Sequence, residues 1–263
     1  MISAERIAGK KRIVVKVGSS SITGDNEPNL DLIVDFAMRL KDKGSEVILV
    51  SSGAIATAMP LIGLSVKPED LATSQALASI GQARLMSRYD KSLSRYGAMP
   101  GQILLTVENL DEATSAHHAS RALEKLIEIG VLPIVNENDS VATQEIRFGD
   151  NDQLAARVAA LADADLLVLF SDVDALYDRP PSETGAKPIE LVPFGDELTG
   201  IVVSGTSTGY GTGGALTKLS AARLATSAGV GVLLTSTANV EIVDSVGCMH
   251  TYFEPSPKSQ ETD

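Results

Sequence analysis

Short aliphatic runs alternate along this chain with longer stretches whose apolar residues recur at helical spacing. The runs fall at 12–17, 46–51, 101–105, 132–136, 166–170 and 230–235, and they are rich in Val, Ile and Leu with little polar alternation. That pattern suits strands covered on both faces, as in a parallel sheet. The helical spacing predicts helices over 30–43, 70–96, 109–129, 153–161 and 215–228. Gly44, Gly97, Gly130 and Gly229 stand where four of these helices should stop, because a helix commonly ends on a residue in the left-handed region. Strands alternating with helices predict an α/β layered fold.

Two stretches break the rhythm. Residues 178–185 are rich in Pro, Ser and Gly and predict a loop; residues 255–263 are polar and predict a flexible tail. There is no internal repeat and no linker, so 1–254 is expected to be one domain. Its N-terminal half should hold the substrate and its C-terminal half the nucleotide, on one shared sheet.

Composition narrows the class. The 263 residues are 44% hydrophobic with no Trp and only 4% aromatic, so the core must be aliphatic. The formal net charge of −12 excludes a general nucleic-acid binder, which needs a basic face to displace counterions. It leaves room for an anionic substrate, since a few lysines in a cleft set up a local positive field. Cys248 is the sole cysteine, and His117, His118 and His250 lack ligand spacing, so the sequence offers no Cys- or His-based metal site. Lys10, Lys11 and Arg12 are not followed by a signal-peptide apolar stretch, and no run is long enough to span a membrane. The expected location is the cytoplasm.

In open α/β sheets ligands bind beyond the carboxyl ends of the strands. Small and polar residues gather at four such ends: Lys16 to Ser20, Ser51 to Ala54, Asn136 to Asp139, and Ser171 with Asp172. Lys16 interrupts an apolar strand, where an unpaired charge is costly. Gly18 and its two serines are small enough to let backbone N–H groups approach an anion. Gly205, Gly209, Gly211, Gly213 and Gly214 precede a helix with Lys218 in its first turn. A cation there opposes the helix dipole unless an anion also sits at that terminus. Residues 209–214 formally match G-x-G-x-x-G, but no clean strand precedes them and no acidic residue ends the next strand, so they do not read as a dinucleotide fingerprint. No P-loop motif and no protein-kinase signature set is present.

Asn136, Asn138, Asp139, Asp150, Asn151 and Asp152 form a dense set of short polar side chains around one strand end. Asp150 or Asp152 could simply cap a helix. The set as a whole suits an amino acid's ammonium group, a hydrated Mg2+, or the orientation of a lysine.

Taken together these stretches resemble the amino-acid kinase family and, within it, the glutamate 5-kinase branch. The resemblance runs from Ile13 to about Gly247. It is carried by Val15-Lys16-Val17-Gly18-Ser19-Ser20, Val50-Ser51-Ser52-Gly53-Ala54-Ile55-Ala56, Gly81-Gln82 and Gly101-Gln102-Ile103-Leu104-Leu105-Thr106, and by Asn136-Glu137-Asn138-Asp139-Ser140-Val141-Ala142-Thr143, Gly149-Asp150-Asn151-Asp152, and Gly211-Thr212-Gly213-Gly214 with Lys218. The N-E-N-D segment followed by G-D-N-D points to the branch, whereas the lysines and glycines alone indicate only the wider family.

The resemblance implies a three-layer αβα sandwich with a mainly parallel central sheet. It also implies ATP with Mg2+ as phosphoryl donor and the side-chain carboxylate of L-glutamate as acceptor, the first step of proline biosynthesis. Lys16 and Lys218 would flank the transferring group, with Asp152 orienting both. Ser52, Gly53, Asp139, Asp150 and Asn151 would hold glutamate. Gly18, Ser171, Asp172, Gly211, Thr212, Gly213 and Gly214, together with the two lysines, would hold ATP. Mg2+ would ride on the ATP phosphates, without a protein metal site. Proline as feedback inhibitor, a homo-oligomer (dimer or tetramer) and hand-over to glutamyl-phosphate reductase are further family expectations. Ala215 stands where the family usually has Met or Ile, and no C-terminal PUA domain is expected within the 263 residues.

Overall fold

The computed structural model describes residues 2–141, 151–198 and 215–257. A short helix α1 (Ser3–Ile7) leads into β1 (Arg12–Val17), α2 (Asn29–Asp42) and β2 (Glu46–Ser51). Then come the short α3 (Ala54–Ala58), the long α4 (Leu71–Ser94), β3 (Pro100–Leu105), α5 (Val107–Asp111), α6 (Ala113–Glu128) and β4 (Leu132–Glu137). The C-terminal half adds α7 (Asn151–Leu161), β5 (Leu166–Ser171), β6 (Leu176–Tyr177), β7 (Pro188–Ile189), β8 (Leu191–Val192), α8 (Ala215–Ser227), β9 (Gly231–Ser236) and β10 (Thr251–Phe253).

Eight strands form one sheet in the order β3-β4-β2-β1-β5-β9-β10-β8. All neighbours from β3 to β9 are parallel, and β10 alone runs antiparallel to the strand it joins, β9. Central β1 pairs with β2 on one side and β5 on the other, so the connections diverge at its carboxyl end. That divergence opens a crevice in a parallel sheet.

The strand alternation sorts the core into two layers. Ile13, Val15 and Val17 of β1 face α2 and α4, where they meet Phe36, Leu40, Leu85, Tyr89 and Leu93. Val14, with Ile48, Val50 and Val135 of its neighbours, faces α6, α7 and α8 through Leu123, Leu154, Val158, Ala221 and Ala222. Sheet between two helical layers is the three-layer sandwich that the resemblance implies. Each fully buried Leu or Ile side chain in these layers contributes roughly 1.5–3 kcal/mol over its exposed state.

The six predicted strands and the helices at 30–43, 70–96, 153–161 and 215–228 are all present, with ends shifted by a residue or two. The single helix predicted over 109–129 is two. Glu112 breaks it with extended backbone (φ −89°, ψ 117°), and its carboxylate accepts from Thr114 N and Ser115 N at 2.8 and 2.7 Å. Periodicity reads through such a junction because a capping break leaves the apolar spacing almost intact. The elements not predicted are short: α1, α3, and the strands β6, β7, β8 and β10, none longer than five residues. The Pro/Ser/Gly loop at 178–185 joins β6 to β7, and beyond β10 Ser256 N donates to Thr226 O at 2.8 Å.

Candidate active site

Alternation along β1 puts Lys16 on the same side of the sheet as Val14, toward α7. The residue is 4% exposed, so its charge needs a partner. That partner is Asp152 Oδ1, from the first turn of α7. A carboxylate is favoured there by the helix dipole as well as by the lysine. Asp152 is fully buried, and its second oxygen takes Lys218 Nζ at 3.3 Å. Helix α8 can bring Lys218 this close because alanines line its contact with α7: Ala155 and Ala159 on one helix, Ala221, Ala222 and Ala225 on the other. Two buried ammonium groups thus share one carboxylate, and the three side chains together carry one net positive charge.

Gly18 follows β1 in extended backbone, and a Cβ placed on it would lie 3.8 Å from Lys16 Nζ. The chain then enters a 3-10 turn at Ser19–Ser21. Ser21 Oγ and Thr237 Oγ1 are hydrogen-bonded at 2.9 Å, and Thr237 Oγ1 donates to Ser171 O at 3.2 Å. One buried hydroxyl pair therefore ties the ends of β1, β5 and β9 together. Ser171 is buried and its hydroxyl donates to Asp172 Oδ1 at 2.9 Å, while Asp172 itself is exposed.

At the end of β2, Ser52 N donates to Val17 O at 3.0 Å, and Gly53 turns the chain into α3 at φ 111°, a conformation that side chains disfavour. Asn151, one residue before Asp152, reaches back to this turn. Its Nδ2 donates to Ser52 Oγ at 2.8 Å and to Asn136 Oδ1 at 2.9 Å, with Ser51 O more distant at 3.3 Å. Asn151 Oδ1 is buried without a hydrogen-bond partner among the described residues. Asp139 lies beyond β4, half-buried, and burial raises its pKa while Lys67 opposes the rise. Its neighbour Glu137 is pushed up to about 7 by burial and by the charges of Asp139 and Glu108, against Lys67.

The structure joins Lys16, Asp152 and Lys218 directly, sets Gly18 beside Lys16, and joins Ser52 to Asn151 through a hydrogen bond. Asp139 shares no hydrogen bond with Ser52 or Asn151 among the described residues. Asp150 and the loop residues Gly205, Gly209, Gly211, Thr212, Gly213 and Gly214 lie outside the described residues. Helix α4 adds two residues that strand-end reasoning does not reach. Gln82 Oε1 accepts from Asn136 Nδ2 at 2.8 Å, and buried Tyr89 donates its hydroxyl to Ser51 Oγ at 2.7 Å. Burial pushes the Tyr89 phenol up to about 12. The two stand about two helical turns apart, hence on one face of α4, and a polar pair on a sheet-facing helix stripe is the signal that marks them.

Residues 11–236 match the model of the amino acid kinase family. A glutamate 5-kinase from Clavibacter michiganensis subsp. michiganensis (strain NCPPB 382) is 58% identical over 249 residues, covering 95% of this chain and 96% of that one. A glutamate 5-kinase from Leifsonia xyli subsp. xyli (strain CTCB07) is 52% identical, covering 97% and 94%. A longer one from Salinispora arenicola (strain CNS-205) is 48% identical, and the match covers 97% of this chain but 70% of that one. Among solved structures, carbamate kinase from Giardia lamblia bound to AMP-PNP superposes with a TM-score of 0.64 at 14% identity, over 95% of this chain and 99% of that one. UMP kinase from Ureaplasma parvum does so with a TM-score of 0.59 at 16% identity, over 93% and 99%. Likeness at such identity speaks for the fold alone, but the sequence relatives go further. The chain belongs to the amino acid kinase family, among the glutamate 5-kinases.

Proposed function

We propose that this chain transfers the γ-phosphoryl group of ATP to the side-chain carboxylate of L-glutamate, giving glutamyl 5-phosphate and ADP. The observation that carries the reading is the pair of buried lysines sharing Asp152. Their net positive charge suits a phosphoryl group in flight, whose negative charge is spread over its oxygens. The acceptor carboxylate titrates near ~4.3 and is ionised at neutral pH, so no general base is needed. Asp152 then serves as organiser: it holds Lys16 on one oxygen and Lys218 on the other. The new bond forms between a glutamate oxygen and phosphorus as the bond to the ADP oxygen breaks.

Ser52, Gly53, Asp139, Asp150 and Asn151 bind glutamate in this reading. The Ser52 hydroxyl accepts from Asn151, so its own hydrogen is left to donate to a substrate carboxylate. The nucleotide phosphates lie along Gly18 and the two lysines, with Ser171, Asp172 and the Gly211–Gly214 loop on the nucleotide side. This divides the domain into a substrate half and a nucleotide half. The donor set fits a nucleotide triphosphate: two ammonium groups and a glycine backbone that runs beside one of them. Mg2+ comes with the ATP and lowers the charge of its phosphates. The cytoplasm as location, proline as an inhibitor overlapping the glutamate site, a dimer or tetramer, and transfer of the labile product to a reductase belong to the same reading.

The test is ADP release with ATP and Mg2+ across glutamate, N-acetylglutamate, aspartate and UMP, with hydroxylamine to trap an acyl phosphate. Turnover with glutamate and recovery of the hydroxamate are expected. Activity on another acceptor, with none on glutamate, would keep the lysine pair and overturn the assignment of the residues around Ser52 and Asn151.

A further inference from the structure

We infer that Gln82 is a positioning residue for the acceptor site: by accepting from Asn136 it holds the Asn136–Asn151 pair that directs the Ser52 hydroxyl. The proposal rests on the glutamate-phosphorylation reading above and adds to it a residue outside the binding set.

Four side chains form a continuous relay from helix α4 to the end of β2. Gln82 Oε1 accepts from Asn136 Nδ2 at 2.8 Å. Asn136 Oδ1 accepts from Asn151 Nδ2 at 2.9 Å and from Glu137 N at 2.8 Å. Asn151 Nδ2 also donates to Ser52 Oγ at 2.8 Å. Each amide has one acceptor end and one donor end, and the Glu137 N–H can only donate, so the Asn136 oxygen is turned toward Glu137 N and Asn151. The Asn136 NH2 is thereby turned outward, and Gln82 Oε1 is the acceptor that holds it there. Asn151 must then present its NH2 to both Asn136 and Ser52. The Ser52 oxygen becomes an acceptor, and its hydrogen is directed away from Asn151.

Two amide groups of the relay are uncompensated. Gln82 Nε2 and Asn151 Oδ1 are buried without hydrogen-bond partners among the described residues. An unsatisfied buried polar group costs roughly as much as a lost hydrogen bond, and such groups in native structures call for a functional explanation. Asn151 is 5% exposed, so its bare acceptor is built into the site. It faces the same amino-acid substrate that the Ser52 hydroxyl serves: an acceptor for the α-ammonium beside a donor for a carboxylate. If Asn136 shifts, Asn151 loses its acceptor and both groups lose their aim at the substrate. Gln82 holds Asn136 from its far side, where it need not touch the substrate.

The experiment compares Gln82→Met, which keeps the length of the side chain and removes the acceptor, with Gln82→Glu, which keeps an acceptor for Asn136. Steady-state kinetics are measured for each substrate, with thermal unfolding as a check on folding. In Gln82→Met the KM for glutamate should rise tenfold or more, with the KM for ATP within about twofold of the parent. In Gln82→Glu it should return to within about threefold. Asn136→Ser removes the other half of the same bond without touching α4, and should raise the glutamate KM alone if Gln82→Met fails to fold. An unchanged glutamate KM in a folded Gln82→Met, equal rises in the Met and Glu variants, or a parallel rise for ATP would each overturn the proposal. A parent protein inactive on glutamate would instead sink the functional reading itself.

Discussion

Lys218 Nζ stands 3.3 Å from Asp152 Oδ2, and the opposite oxygen of the same carboxylate is paired with Lys16. Helices α7 and α8 and central strand β1 therefore meet at one buried carboxylate, and its loss should be felt in folding and in catalysis together. In Asp152→Asn the side chain keeps its shape and loses its charge, which leaves two buried ammonium groups repelling one another. Removing one partner of a buried ion pair costs on the order of 3 kcal/mol or more. The variant should unfold at lower urea, and kcat should fall by roughly 100- to 1000-fold because neither lysine keeps its place against the transferring group. A pH–rate profile that loses a limb near ~7 in Asp152→Asn would make this residue a base and contradict the organiser role.

Gly81 decides how near α4 comes to the substrate turn. A Cβ built on it would lie 1.7 Å from Ala54 O and 2.6 Å from Ala54 C, both backbone atoms of α3. No rotamer change can relieve that clash, so the helices must part. Gly81→Ala is expected to destabilise the protein by about 3 kcal/mol, at the upper end for an added methyl in a packed contact. Because α3 begins directly after Ser52 and Gly53, the shift should also weaken glutamate binding. Urea denaturation together with the glutamate KM checks both effects, and a Gly81→Ala protein with the parent midpoint would refute the close approach.

The lysine pair was legible in the sequence for a physical reason. A lysine in a buried strand and another opening a helix are each locally unfavourable, so each advertises a missing counter-charge. Both find a carboxylate in Asp152, a shared partner that only the family resemblance implied. The parallel core strands were legible because burial on both faces leaves an unbroken aliphatic run. Strands β8 and β10 were not, since two or three residues at a sheet edge carry no period. Tyr89 was hidden differently, and Gln82 stood out only within the Gly81-Gln82 stretch that carries the family resemblance, with no role attached to it. Each is an ordinary residue within a helical pattern, and only the packing of α4 against β2 and β4 brings them to Asn136 and Ser51. The break at Glu112 was hidden because its capping carboxylate looks like any surface acid until Thr114 N and Ser115 N turn toward it.

Glu137 gives the protein a stability that depends on pH in the opposite sense to a paired carboxylate. It closes β4 at 8% exposure, with Asp139 and Glu108 as like charges and Lys67 opposing them. Burial is the largest cause that lifts it from the ordinary 4.5 to about 7. Between those values the folded chain keeps a proton that the unfolded chain has released. Stability from this group is therefore complete below about 4.5 and is lost as pH rises through about 7. Asp139, raised by burial as well, adds in the same direction. Glu137→Gln removes the titration and keeps the shape. Thermal midpoints taken at pH ~5.5 and ~8 should fall in the parent by more than in Glu137→Gln, with the difference centred in the window between the two pKa values. Parallel curves for the two proteins would mean that the carboxyl group is already ionised across this range, as it would be if a cation faced it in the folded chain.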